Sequence, residues 1–315
     1  MENATLPAHF YLTLFSGVGP LRYPFFLLTV AVYFVVLLFN FSIILVIIRE
    51  KSLHAPMYIF ICCLSFNSLY GSAGLFPRLS VDLLSESHAI SHAACFTQIF
   101  IIYTYAICEL TILSIMAYDR YVAICHPLRY HSVMTPRTTS WLIAAALLWP
   151  LLCMAVVTFL TARLPLCGTQ ITRIYCATWA VARLSCVPTS SNSILGLFIA
   201  TTNLVLPSAF ILYTYVRILI VCRRSSPEFR GKALQTCLPH IVTFVNYVTA
   251  SFCDIVLSRH ELDRVLNVLA FIFSLEFLVI PPILNPLIYG LTLPEIRKKN
   301  MILSYSSKIA VISKH

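Results

Sequence analysis

Residues 24–48 read PFFLLTVAVYFVVLLFNFSIILVII, an unbroken uncharged run between Arg22 and Arg49. A bilayer's hydrocarbon core is about 30 Å thick and a helix needs roughly 20 apolar residues to cross it, so the stretch from Pro24 to Ile48 is long enough. Working outward, six further stretches meet the same test: Met57 to about Pro77, Cys95 to Tyr118, Trp141 to Thr161, Asn192 to Val216, Ala233 to Cys253 and Val265 to Leu291. The third and the seventh each hold one carboxylate, Glu109 and Glu276. Seven spans predict an all-α membrane protein, a seven-transmembrane helix bundle with its two ends on opposite sides. The chain then divides into a tail over 1–23, a membrane domain over 24–291 and a second tail over 292–315.

Composition leads to the same class. Of 315 residues, 59% are apolar and 11% charged, and the mean hydropathy is +0.86. Soluble domains carry about 25% charged residues, so this chain has too little polar side chain to cover a globule in water. A soluble enzyme, a disordered chain and a collagen-like rod are excluded. The 8 glycines leave little room for phosphate-binding loops.

Sidedness follows from the cations, because Lys and Arg in short loops stay on the cytoplasmic face. One set of connections holds Arg49, Lys51, Arg120, Arg129, Arg137, Arg217, Arg223, Arg224, Arg230 and Lys232, to which the second tail adds Arg297, Lys298, Lys299, Lys308 and Lys314. The opposite set holds only Arg22, Arg78, Arg163, Arg173, Arg183, Arg259 and Arg264. The imbalance places the N-terminus outside. The net charge of +10 is then mostly a cytoplasmic excess, suited to lipid head groups and an acidic protein partner rather than to nucleic acid. Leu293, Ile296 and Ile302, set among Arg297, Lys298 and Lys299, fit a short helix along the inner leaflet.

The first residues lack the basic start and apolar core of a cleavable signal, so the first span is expected to direct its own insertion. Asn3-Ala4-Thr5 is a glycosylation sequon in the outside tail, whereas Asn40-Phe41-Ser42 fits the pattern from within a span. Cys95, Cys167, Cys176 and Cys186 fall on the oxidising side, where pairing is favoured and three connectivities are open. Pro150, Pro207, Pro239, Pro281, Pro282 and Pro286 sit in or near spans. Each removes a backbone donor, and such breaks survive in lipid only where neighbours or water satisfy the freed carbonyls.

At the inner end of the third span the chain reads Met116-Ala117-Tyr118-Asp119-Arg120-Tyr121-Val122-Ala123-Ile124-Cys125-His126-Pro127. Leu53-His54-Ala55-Pro56-Met57-Tyr58 enters span two, Lys232-Ala233-Leu234-Gln235-Thr236-Cys237-Leu238-Pro239-His240 opens span six, and Pro282-Ile283-Leu284-Asn285-Pro286-Leu287-Ile288-Tyr289-Gly290 closes span seven. This ordered set resembles olfactory receptors, in the rhodopsin-like family of G-protein-coupled receptors. The resemblance implies an odorant ligand, a heterotrimeric G protein of the stimulatory olfactory type that raises cAMP, and residence in the plasma membrane. It implies that Arg120 pairs with Asp119 at rest, beside Tyr121, and is freed when span six swings outward. His240 would belong to the same switch. Asn285, Pro286 and Tyr289 would form a bend that rearranges beside span three, with Tyr215 as polar partner. The pairing expected with it is Cys95–Cys176 and Cys167–Cys186. In one departure, Ser68 stands where the family's second span usually carries an aspartate, which leaves Glu109 as the buried acid. Glu109 is expected to join a polar cluster drawn from Asn40, Ser68, Ser114 or Asn285.

Cavities in helical bundles lie between helices. Helical spacing offers Ile102, Tyr103, Ala106 and Ile107 as one wall, Ile199 and Asn203 from span five, and Val248, Ser251, Phe252 and Ile255 from span six. Arg259, one turn further, stands at the mouth, where an unpaired guanidinium suits a carboxylate-bearing ligand such as a short acid or an amino acid. The alternative is a loop arginine paired with Asp254, Glu261 or Asp263. His88 and His92 stand four apart, a metal spacing on a helix, but no third ligand is evident. A secondary transporter would show paired repeats with matching interruptions, and no such halves are found. His260-Glu261-Leu262-Asp263-Arg264 lacks the second histidine of a zinc helix, and Gly17-Val18-Gly19 lacks the continuation of a nucleotide loop. No metal, cofactor or catalytic constellation is read. A rhodopsin-like receptor outside olfaction is the remaining alternative.

Overall fold

The computed structural model describes residues 9–13, 19–259 and 264–292. The helices in chain order are α1 (Arg22–Arg49), α2 (Pro56–Leu84), α3 (His92–Cys125), α4 (Tyr130–Val133), α5 (Pro136–Ala162), α6 (Thr178–Ala182), α7 (Ser190–Arg223), α8 (Pro227–Arg259) and α9 (Arg264–Thr292). All but the short α4 and α6 are long and apolar enough to cross a membrane, so the described residues form a bundle of seven spans. Large apolar side chains such as Phe25, Leu28, Phe34, Trp141 and Phe198 face outward, as expected where the solvent is lipid.

Local chemistry sets the helix starts. Pro56 and Pro136 occupy first turns, where a missing N–H is one of the unpaired ones anyway. The Ser91 hydroxyl caps α3 by accepting from Ala94 N at 3.3 Å, and Thr135 caps α5 by accepting from Thr138 N at 3.2 Å. The second span does not leave at Pro77 as its sequence suggests. The helix continues to Leu84 with Pro77 inside it, because Leu79, Asp82 and Leu83 beyond the proline are buried and hold the last two turns in place.

Helix α3 is the axis of the bundle and packs against α2, α5, α7 and α8. Close approach to α2 depends on glycine. A Cβ on Gly71 would fall inside the Tyr105 ring, and one on Gly74 would lie 2.6 Å from Cγ2 of Ile101.

Three of the internal prolines illustrate how a broken helix is repaired in lipid. Proline lacks the N–H that would reach the carbonyl four residues back. The Ala146 carbonyl, freed by Pro150, accepts from Thr111 Oγ1 at 3.1 Å. The Phe277 carbonyl, freed by Pro281, accepts from the Tyr105 hydroxyl at 3.2 Å. The Pro282 carbonyl, freed by Pro286, accepts from Asn40 Nδ2 at 2.8 Å. Each repair ties two helices together, so the kinks become joints. The Gln235 carbonyl, freed by Pro239, meets no side-chain donor among the described residues.

The outer end is roofed by a small sheet that sequence reasoning did not foresee. Strand β1 (His9–Leu12) lies between β2 (Ala89–Ser91) and β3 (Gln170–Ile171), antiparallel to the first and parallel to the second. Part of the expected tail is therefore structured, with Phe10 and Leu12 fully buried on Ile90, Phe96 and Ile171. Disulfides join Cys95 to Cys176 and Cys167 to Cys186. The first ties the loop after α5 to the top of α3.

Candidate functional site

Beneath the roof lies a cavity of about 150 Å³ between α3, α5, α7, α8 and α9. Helix α3 contributes Tyr103, Ala106, Ile107 and Leu110, at the three- and four-residue spacing of one helical face. Ile199 and Asn203 face them from α7, and Ser251, Ile255 and Arg259 from α8. Three expected lining residues are elsewhere. Ile102, one position around α3, is buried toward α2 at Gly74. On α8 the cavity stripe runs Tyr247, Ser251, Asp254, Ile255 and Ser258. Val248 and Phe252 lie at the edge of that stripe without lining the space: Val248 packs against the apolar core and Phe252 is 58% exposed. Met154, Trp179 and Phe277 also line the space. Their helices gave no periodic sign of which face turns inward.

The charged groups sit at the outer end of the cavity. Arg259 Nη1 donates to Ser193 Oγ at 3.0 Å, and its guanidinium carbon stands 4.8 Å from the centre of the Trp179 ring. It has no carboxylate partner among the described residues; Glu261 and Asp263, considered for that role, lie outside them. Asp254 does not pair with Arg259. Its Oδ1 accepts from Ser274 Oγ at 2.5 Å and lies 3.7 Å from Arg173 Nη1 of the outer loop. Asn203 Oδ1 accepts from Trp149 Nε1 at 2.7 Å, which joins α5 to α7 at the cavity wall.

Below the cavity Glu109 is fully enclosed. Its two oxygens accept from Asn67 Nδ2 at 2.9 Å and Asn285 Nδ2 at 2.6 Å. Of the expected partners only Asn285 is bonded to it. Asn40 is committed to the Val36 and Pro282 carbonyls, Ser114 donates to the Leu110 carbonyl, and the Ser68 hydroxyl is buried without a partner. The sequence carries no sign of Asn67 in this role, because it is the neighbouring Ser68 that stands at the position usually held by an acid.

At the inner end of α3, Asp119 pairs with Arg120 and accepts from the Tyr130 hydroxyl of α4 at 2.8 Å. Burial, and then the charge of Asp119, push the Tyr130 phenol above its usual range, so it stays a donor at physiological pH. Tyr121 turns away from the pair to His126 Nε2 at 3.1 Å. The Tyr289 hydroxyl meets His240 Nδ1 at 3.0 Å and Thr243 Oγ1 at 3.3 Å. Tyr215, expected as its partner, has a buried hydroxyl with no hydrogen bond among the described residues. Pro286 lies inside α9 between Asn285 and Tyr289. The histidine pair is split: His88 is in a turn with φ of 46° and bonded to the Asp82 carbonyl, while His92 opens α3 between Phe10 and Phe96. No group of three metal-binding side chains occurs among the described residues.

A bundle of seven spans holds an internal cavity toward its outer end and a paired Asp119-Arg120 at its inner end. Residues 29–305 match the model of the olfactory receptor family. The chain belongs to that family. The receptor is 33% identical to olfactory receptor 52D1 of Homo sapiens, over 99% of this chain and 98% of that one. It is 35% identical to the human olfactory receptor 51E1 over 85% of each chain, and 33% identical to olfactory receptor 8U3 of Mus musculus over 99% of each. The receptor is thus a multi-pass membrane protein and an odorant receptor of the G-protein-coupled class, not an enzyme. Asn3 and the basic stretch after Leu293 lie outside the described residues.

Proposed function

We propose that the receptor sits in the plasma membrane, takes a small carboxylate-bearing odorant into the cavity between α3, α7 and α8, and raises cAMP through a stimulatory heterotrimeric G protein. The single observation that carries the ligand class is Arg259, which lines the cavity and has no carboxylate partner among the described residues. A guanidinium held by Ser193 and Trp179 is already oriented, so a carboxylate gains a charge-assisted hydrogen bond without ordering a loose side chain. The ligand drives the switch only through its difference in affinity between the two states. The groups that would respond are Asp119, Arg120, His240 and Tyr289 at the inner ends of α3, α8 and α9.

In cells with a cAMP reporter, short-chain acids should activate the wild-type receptor. Arg259→Gln should lower their potency by about tenfold or more, the worth of one charge-assisted contact, at unchanged surface abundance. Acid responses that Arg259→Gln leaves intact would end the proposal. Glycosylation at Asn3 and a membrane-surface helix after Thr292 complete the same reading.

A further inference from the structure

Resting on Arg259 as the anchor of a ligand carboxylate, we propose that the cavity is built for a small zwitterion: an α-amino acid with an apolar side chain, its carboxylate on Arg259 and its ammonium on Asp254. Both residues line the same cavity. They are five positions apart on α8, about 7.5 Å along its axis. Five positions also turn the helix by about 140°, so what brings the two groups to one ligand is the cavity that both line; an α-amino acid carries its two charges across two bonds.

The hydrogen bonding of the two groups is complementary. Asp254 is 7% exposed, and its only hydrogen bond among the described residues is from Ser274 to Oδ1. Arg173 forms an ion pair with Oδ1 at 3.7 Å, too long for a hydrogen bond, and its Nη1 donates to Ser274 at 3.2 Å. Oδ2 accepts nothing among the described residues. A carboxylate has about four acceptor sites, so a buried one with a single donor is short of partners. Arg259 presents the opposite deficit: Nη1 is used by Ser193, while Nε and Nη2 meet no acceptor among the described residues. Beside it the Trp179 indole N–H is buried with no partner among the described residues. The outer end of the cavity thus offers spare donors at Arg259 and Trp179 and a spare acceptor at Asp254. Ala106, Ile107, Leu110, Met154 and Leu204 make the space beyond them apolar. A simple acid would leave Asp254 short of donors, and a simple amine would leave Arg259 unmatched. A molecule bearing both charges satisfies both.

The test uses the full chain, surface-labelled, in cAMP reporter cells, with L-leucine, its des-amino analogue 4-methylpentanoate and its decarboxylated analogue 3-methylbutylamine. Leucine should be about tenfold or more potent than 4-methylpentanoate, and the amine inactive. Asp254→Asn should bring leucine down to the level of the acid while leaving the acid response in place, which also shows that the variant folds. Asp254→Glu should restore part of the preference. If 4-methylpentanoate equals or exceeds leucine on the wild type, or if Asp254→Asn weakens both alike, the zwitterion proposal is overturned and the carboxylate reading stands. If neither leucine nor the acid acts, or if Arg259→Gln does not change the acid response, the carboxylate reading falls and the zwitterion proposal with it.

Discussion

Glu109 is a carboxylate enclosed in the bundle whose two oxygens are each met by an asparagine amide. Asn67→Leu removes one and leaves an oxygen unpaired, which should destabilise the receptor by about 1–3 kcal/mol. The check is the thermal midpoint of the detergent-solubilised protein; an unchanged midpoint would mean that the amide contributes nothing there. Glycine offers a sharper contrast. Gly71→Ala drives a methyl group into the Tyr105 ring and should cost about 1–3 kcal/mol, whereas Gly231→Ala in α8 meets nothing within 4 Å and should raise the midpoint by removing a poor helix former. Single residues were unevenly legible in the sequence. Glu109 stood out because an acid inside a span is costly. Its partner Asn67 did not, since an uncharged amide next to a serine carries no such signal. Arg259 was legible as a cation at the end of a span; that Asp254 faces the same cavity but bonds to Ser274 depends on packing that spacing cannot supply.

The spans were legible because a helix in lipid must be long and uncharged, and that pattern needs no partner to be recognised. Which face of a span turns inward was less so. All-apolar helices have weak amphipathicity, so helical spacing alone offers Ile102, Val248 and Phe252 to a cavity that they do not line. The roof sheet was invisible: β1 is four residues long, and its partners lie in loops far along the chain. The Cys95–Cys176 bridge closes a separation of 81 residues, for which loop entropy gives about 4 kcal/mol of stabilisation. Replacing both cysteines by serine should therefore lower the thermal midpoint and surface abundance together. Equal stability of the serine pair would show that the sheet alone holds the roof.

Across the whole molecule the clearest expectation is sidedness. A tag at the N-terminus should be labelled on intact cells and one at the C-terminus only after permeabilisation; labelling of both on intact cells would contradict the charge distribution. A second whole-molecule property follows from Pro239. The amide that would have bonded the Gln235 carbonyl is absent from the sequence itself, so flexing α8 at that point severs no rung of its ladder. The inner half of the helix is held by packing, with Ala233 and Cys237 buried, while Tyr289 holds α8 just beyond the break through His240 and Thr243. An odorant that favours the displaced arrangement therefore works against side-chain packing at that point, with one backbone hydrogen bond fewer to strain than in an unbroken helix.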